Sequence, residues 1–191
     1  MKVGVLSFQG GVIEHLNHIK LLGHIGIEVK KEEDLNDIEA IILPGGESTT
    51  IGKLLKVTGL ITPLKKKIKS GLPTWGTCAG MILLANEIEA QEEKYLEAMD
   101  IKVERNGFGT QIDSFKIRKG IKEVSDKNVE LVFIRAPYIT EVKETVEILC
   151  EVDNKIVAAK QKNIIVTAFH PELTDDLSFL SYFLKSTPGE I

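Results

Sequence analysis

Short apolar runs that each end in a glycine-rich turn and lead into a helix-like stretch recur through the first half of the chain. This alternation limits the folds open to it. A strand at 3–8 stops at Gln9-Gly10-Gly11, and the stretch after it places Val12, Leu16, Ile19 and Leu22 at helical spacing, with Gly23 and Gly26 at its end. A strand at 27–29 follows, then one at 38–43 stopped by Pro44-Gly45-Gly46. Helical apolar positions occupy 51–55 and 61–68. A fourth strand at 72–75 runs into Gly76-Thr77-Cys78-Ala79-Gly80 and a helix at 81–88. The second half reads as strands at 129–134, 147–152, 155–159 and 163–169, the middle two joined by a tight Asp153-Asn154 turn, with a last helix at 175–184. Strands separated by helices predict an α/β fold of three layers, a mostly parallel central sheet with helices on both faces and an antiparallel portion, flavodoxin-like in outline. With no repeat, linker or low-complexity segment, residues 1–191 are expected to form one domain.

Such a sheet binds its ligands beyond the carboxyl ends of its strands. Three notable segments fall there, at 44–50, 76–80 and 170–172. A strand followed by Gly-Thr-Cys-Ala-Gly and a helix has the form of a nucleophile elbow with cysteine in place of serine. Glycines at 76 and 80 let the chain turn sharply, and the helix N-terminus behind the sulfur favours thiolate. The amide of Ala79 could face a developing oxyanion. The plainer alternative is a small buried cysteine in a glycine turn. Cys150, in a strand between Leu149 and Glu151, reads as a core residue.

A thiol nucleophile needs a base, and the chain has four histidines. His15, His18 and His24 lie in or near the first helix among polar residues and read as surface positions, with no partners at zinc-like spacing. His170 ends an apolar strand directly before Pro171, which biases it to extended backbone. Residues 170 and 172 then project to the same side, so Glu172 can accept a hydrogen bond from one ring nitrogen while the other faces the thiol. Alone, His-Pro-Glu could equally be a structural turn. Pro44-Gly45-Gly46-Glu47-Ser48 allows outward-facing amides, a second half for an oxyanion hole, and does not match a nucleotide phosphate loop.

The net charge of −4 and pI of about 5.7 give no reason to expect nucleic acid or an anionic membrane as partner. No apolar run approaches the roughly 18 residues of a membrane span, and no signal-like segment precedes the first strand. A cytoplasmic location is expected, without a disulfide between the two cysteines.

Gly76-Thr77-Cys78-Ala79-Gly80 together with His170-Pro171-Glu172 resembles the triad-type (class I) glutamine amidotransferases. Gly45-Gly46-Glu47-Ser48-Thr49, Arg105-Asn106-x-Phe108-Gly109-x-Gln111, Phe133-Ile134-Arg135-Ala136-Pro137 and Ala168 to Thr174 narrow the resemblance to the glutaminase subunits of pyridoxal 5′-phosphate synthases. The resemblance implies Cys78, His170 and Glu172 as catalytic triad and the amides of Gly46 and Ala79 as oxyanion hole. It further implies Gly46, Glu47, Ser48, Arg105, Ile134 and Arg135 as the lining of an L-glutamine pocket. By the same resemblance the ammonia passes to a separate TIM-barrel synthase subunit in a hetero-oligomeric complex, and this chain needs no metal and no cofactor. An Arg at 105 suits the work, since a guanidinium grips an α-carboxylate through two hydrogen bonds; a surface ion pair is the simpler use of either arginine. Ser7-Phe8 before Gln9, Thr110, and Leu177-Ser178 depart from the usual pattern and leave the partner interface open. A cysteine peptidase or stress-response protein on a similar sheet, a non-catalytic relative, and a glutaminase serving a different synthase are the rival readings.

Overall fold

The computed structural model describes residues 1–107 and 114–186. Phe108, Gly109, Thr110 and Gln111 lie outside the described residues. Twelve strands and five α-helices are found among the residues described: β1 (Lys2–Leu6), α1 (Val12–Leu21), β2 (Ile25–Val29), β3 (Ala40–Leu43), α2 (Ser48–Val57), α3 (Ile61–Lys69), β4 (Thr74–Thr77) and α4 (Ala79–Leu84) make up the first half. Then come β5 (Ala85–Ile88), β6 (Met99–Glu104), β7 (Ser114–Ile121), β8 (Ser125–Ile134), β9 (Tyr138–Val142), β10 (Glu147–Val152), β11 (Lys155–Gln161), β12 (Ile164–Thr167) and α5 (Ser178–Lys185).

The main sheet runs in the order β2-β1-β3-β4-β12-β11-β9-β6-β5, with β10 paired to β11. From β2 to β12 every pairing is parallel, and from β12 to β6 every pairing is antiparallel. β3, β4 and β12 are buried at every position, as expected of parallel strands covered on both faces. Adjacent residues of β4 reveal the layers. Trp75 stacks on Phe179 at 6.2 Å and packs on Phe183 of α5 and on His15 of α1. Gly76 faces the opposite way, toward Gly80 and Leu84 of α4. Because successive side chains of a strand point to opposite faces, α1 and α5 cover one side, while α4 lies on the other, with α2 packed against α4 and α3 against α2.

This order puts the carboxyl ends of β3, β4 and β12 side by side. The three loops singled out by sequence therefore open onto one another, although they are far apart in the chain. The loop after β1 is next in line, because β1 pairs with β3.

Two expectations need correction. The helix expected at 81–88 stops at Leu84, and Ala85 turns to extended geometry so that β5 pairs with β6. Its residues are buried all round, so no apolar stripe existed to mark where helical periodicity ends. The antiparallel part is larger than the sequence indicates. β6, β9 and the two-stranded hairpin β7–β8 add to it, and polar β7 alternates only weakly between buried and exposed positions. The Asp153-Asn154 turn joins β10 and β11 as expected, with positive φ at both residues, 50° and 60°, the geometry of a two-residue hairpin turn.

α4 packs so closely that a Cβ at Gly80 would overlap the Leu43 carbonyl oxygen, and one at Gly76 would lie 2.6 Å from the Gly80 carbonyl carbon. Backbone cannot yield as a side-chain tip can. Gly80→Ala should therefore cost about 3 kcal/mol or more, at the upper end for single substitutions. Urea unfolding of the variant checks this, and a loss below about 1 kcal/mol would contradict the fixed approach of α4 to β3.

Candidate active site

The turn from β4 into α4 puts Cys78 at φ 49° and ψ −105°, a strained conformation for a residue with a Cβ. It is held there from several directions. Cys78 N–H donates to the Thr167 carbonyl at 2.7 Å, its carbonyl accepts from Met81 N–H at 3.1 Å, and the glycines at 76 and 80 keep the helix against the sheet. Cys78 is 7% exposed and its thiol lies 3.9 Å from the Ile134 carbonyl oxygen. The Ala79 amide is the first of α4 and belongs to the group that has no intrahelical partner.

His170 follows β12 at φ −110° and ψ 85°, and Pro171–Leu173 forms one turn of 3-10 helix. The tight turn brings Glu172 back so that His170 Nδ1 donates to its Oε1 at 2.7 Å. Nε2 is thereby left for the sulfur. His170 N–H donates to the Val132 carbonyl at 2.8 Å, fixing the loop to β8. At Gly45 a Cβ would sit 2.5 Å from His170 Cε1 and 3.4 Å from Cys78 Cβ, so the glycine leaves the space where His170 and Cys78 meet. The fold thus brings Cys78, His170 and Glu172 together.

Burial pulls the His170 imidazole toward neutrality, but its hydrogen bonds to Cys78 and Glu172, and their charges, outweigh this and push it up to about 10. Burial alone would raise the Glu172 carboxyl; the hydrogen bond from His170 leads the effects that reverse this and hold it below its ordinary value, with His15 and the charge of His170 adding to it. The imidazolium is favoured by the site.

A cavity of about 320 Å³ opens over the sulfur, lined by Gly46, Glu47, Ser48, Cys78, Ala79, Ile82, Arg105, Asn106, Ile134, Arg135, Pro137 and His170. Every pocket residue expected from the sequence is here, and Glu172 stands behind His170. Arg105 Nη2 bonds Glu47 Oε1 at 2.5 Å and its Nη1 donates to Gln91 Oε1 at 3.3 Å. The Ser48 hydroxyl is buried and has no hydrogen-bond partner among the described residues. Arg135, at φ 43°, turns the chain out of β8 beside the cavity. Gly46, at φ 135°, adopts a conformation suited to glycine, and the Glu47 N–H donates to Gln9 Oε1 at 2.6 Å. Cys150 is buried in β10, where burial pushes its thiol up to about 11, an inert core position. No cluster able to hold a metal ion occurs among the described residues, and no helix among them is long and apolar enough to cross a membrane.

The surface reading of the early histidines fails for His15. It is 1% exposed, packs edge-on to Trp75 and places Nε2 3.5 Å from Glu172 Oε2. Burial lowers it to about 4, against the attraction of Glu172, so it is neutral at pH 7. A signal is present in the chain: His15 lies three residues after Val12 and four before Ile19, on the apolar stripe of α1. Gly11 is a further residue of the site that spacing does not mark. A Cβ there would lie 2.8 Å from Glu172 Cγ.

Gly45→Ala should lower the reactivity of Cys78 toward a thiol reagent at least ten-fold while leaving the fold intact, because the methyl displaces His170; thiol-alkylation rates and circular dichroism check it. The raised His170 stabilises the fold fully below about pH 6.5 and ceases to do so as pH rises through about 10, while neutral His15 makes the fold lose stability as pH falls from about 6.5 to 4. Urea titrations should show the alkaline loss reduced in His170→Gln and the acidic loss reduced in His15→Leu.

Pyridoxal 5′-phosphate synthase subunit PdxT of Clostridium beijerinckii is 78% identical over 186 residues, which is 97% of this chain and 98% of that protein. A solved structure described as a glutamine amidotransferase superposes with TM-score 0.92 at 41% identity, covering 97% of this chain and 98% of the other. The structure of PurLQS from Thermotoga maritima, 14% identical with TM-score 0.67 over 97% of this chain and 96% of the chain it matches, shares the fold. A family model matches residues 5–188, and the chain therefore belongs to the SNO glutamine amidotransferase family.

Proposed function

We propose that this chain is the glutaminase subunit of a pyridoxal 5′-phosphate synthase, hydrolysing L-glutamine to L-glutamate and ammonia. The observation that carries the proposal is that Cys78, His170, Gly46, Ala79 and an Arg105–Glu47 pair line a single cavity. Free glutamine carries one charge of each sign on its α-carbon. Arg105 suits the α-carboxylate and Glu47 the α-ammonium, and the unpartnered Ser48 hydroxyl offers a further polar contact. That pairing distinguishes a free amino acid from a peptide, whose α-groups are amides, and so disfavours the peptidase reading.

In this mechanism the Cys78 thiolate attacks the side-chain carboxamide carbon, and the resulting oxyanion is held by the amides of Gly46 and Ala79. His170 gives its proton to the departing ammonia as the C–N bond breaks, leaving a glutamyl thioester. His170 then takes a proton from water, hydroxide adds to the thioester, and glutamate leaves with the thiolate restored. Glu172 orients the imidazole and stabilises its positive form. The partner is the synthase subunit, a TIM barrel, that consumes the ammonia. A cytoplasmic location suits the free thiol on which the reaction depends.

Cys78→Ala should abolish glutamine hydrolysis yet leave the partner able to make product from added ammonium; appreciable hydrolysis by the variant would remove Cys78 from the mechanism. Glu172→Gln should lower kcat with little change in KM, whereas Arg105→Ala should raise KM, since it loses a contact made in the ground state too. Steady-state kinetics giving the reverse pattern would contradict this division of roles.

Ammonia released into water would be protonated and diluted, so hydrolysis should be coupled to docking. Gly46 can rotate its peptide at little steric cost, and Gln9 tethers the next amide. The isolated subunit should be weakly active and gain about a hundred- to a thousand-fold when the synthase is added, the usual worth of one oxyanion donor. Gln9→Ala should blunt that gain more than it lowers basal activity. Full activity without the partner would eliminate the switch.

A further inference from the structure

Glu172 has two oxygens, and only one is engaged with the base. Oε1 accepts from His170 Nδ1 at 2.7 Å, while Oε2 is buried and has no hydrogen-bond partner among the described residues. His15 Nε2 is buried and unpartnered in the same sense, and the two atoms face each other at 3.5 Å. Two buried polar atoms without partners are uncommon, and each is the natural partner of the other. We propose that His15 is a positioning residue for the triad, donating Nε2–H to the outer oxygen of Glu172 and so fixing the carboxylate plane that orients His170.

The rest of the neighbourhood suits that role. α1 enters over Gly11, where even a methyl group would press on Glu172, so the carboxylate lies directly against the start of this helix. The imidazole is clamped edge-on to Trp75 at 5.8 Å, and Trp75 is itself held by Phe179, Phe183 and a hydrogen bond from its Nε1 to Thr167 Oγ1. Burial keeps His15 uncharged, so it can orient the carboxylate without competing with His170 for its charge. A neutral donor is what a triad acid needs from its second partner. A cation there would reduce the ability of Glu172 to stabilise the imidazolium.

The proposal rests on the glutaminase reading, and the alternative is that His15 merely fills space beside Trp75. The two differ in which substitution is tolerated. Glutamine can place an amide donor near the position of Nε2, whereas leucine supplies apolar volume and no donor. Glutaminase kinetics of the synthase-bound complex should show His15→Leu with kcat reduced about ten- to a hundred-fold at unchanged KM, a size typical of outer groups that orient an inner one. His15→Gln should recover most of the loss. A leucine variant with wild-type kcat would overturn the proposal, as would a folded glutamine variant no better than leucine. If neither variant folds, ¹⁵N NMR of the wild-type imidazoles decides: His15 should be the Nε2–H tautomer, with shifts that move in Glu172→Gln. A bare Nε2 would overturn it. A wild-type complex inactive on glutamine would instead overturn the glutaminase reading, and the tautomer would still report on the His15–Glu172 contact.

Discussion

The close approach of α4 to β3 and β4 is the contact on which the site depends. Gly80 lies against the Leu43 carbonyl and Gly76 against the backbone of Gly80, so the helix sits nearer the sheet than any side chain would allow. The chain leaving β4 must then reverse within one residue, and Cys78 takes the positive φ that the reversal demands. Strain of this kind persists only when the surroundings over-determine it. Here the Thr167 carbonyl, the first turn of α4 and two fully buried strands do so. The sulfur is delivered to the surface of a cavity by a backbone that has no other way to go.

Electrostatics completes what the backbone starts. A buried histidine would ordinarily be neutral, and a buried carboxyl would ordinarily be protonated. The hydrogen bond with the Cys78 sulfur, and then the one to Glu172 at 2.7 Å, let the imidazole keep its proton, while the bond from His170 lets the carboxyl stay ionised. Neighbouring elements supply the frame: β8 anchors His170 through Val132, Gly45 leaves it room, and α1 lies against the far side of Glu172. The same N-terminal segment reaches the Gly46-Glu47 loop through Gln9 and the Glu172 carboxylate through His15.

Much of this is legible without a structure, because some of the chemistry is local. The elbow at 76–80 and the reversal at His170-Pro171-Glu172 are each set by a few consecutive residues. Glycine and proline restrict the backbone there directly, so these positions can be read from the chain. The parallel half of the sheet is legible for a related reason: its strands are continuous apolar runs, and helices of clear periodicity separate them. The roles of Gly46, Glu47, Ser48, Arg105, Ile134 and Arg135 come from a resemblance, and their convergence on one cavity cannot be read from spacing, since residues from 46 to 170 have to meet.

Properties that depend on neighbours distant in sequence belong to the folded molecule alone. β5, β6, β7 and β9 are short or polar segments that become strands because an edge is there to pair with. α4 ends where it does because Ala85 joins β5, a pairing that local propensity does not encode. His15 reads as a surface residue because its sequence neighbours are polar, while its actual neighbours are Trp75 and Glu172, brought to it by the stacking of α1 on the sheet. The residue types at the reacting centre, and the turns that present them, are written in the chain. Burial, and with it the protonation of His15, His170 and Glu172, comes from packing, because the cost of charge depends on everything within a few ångströms rather than on the order of residues along the chain.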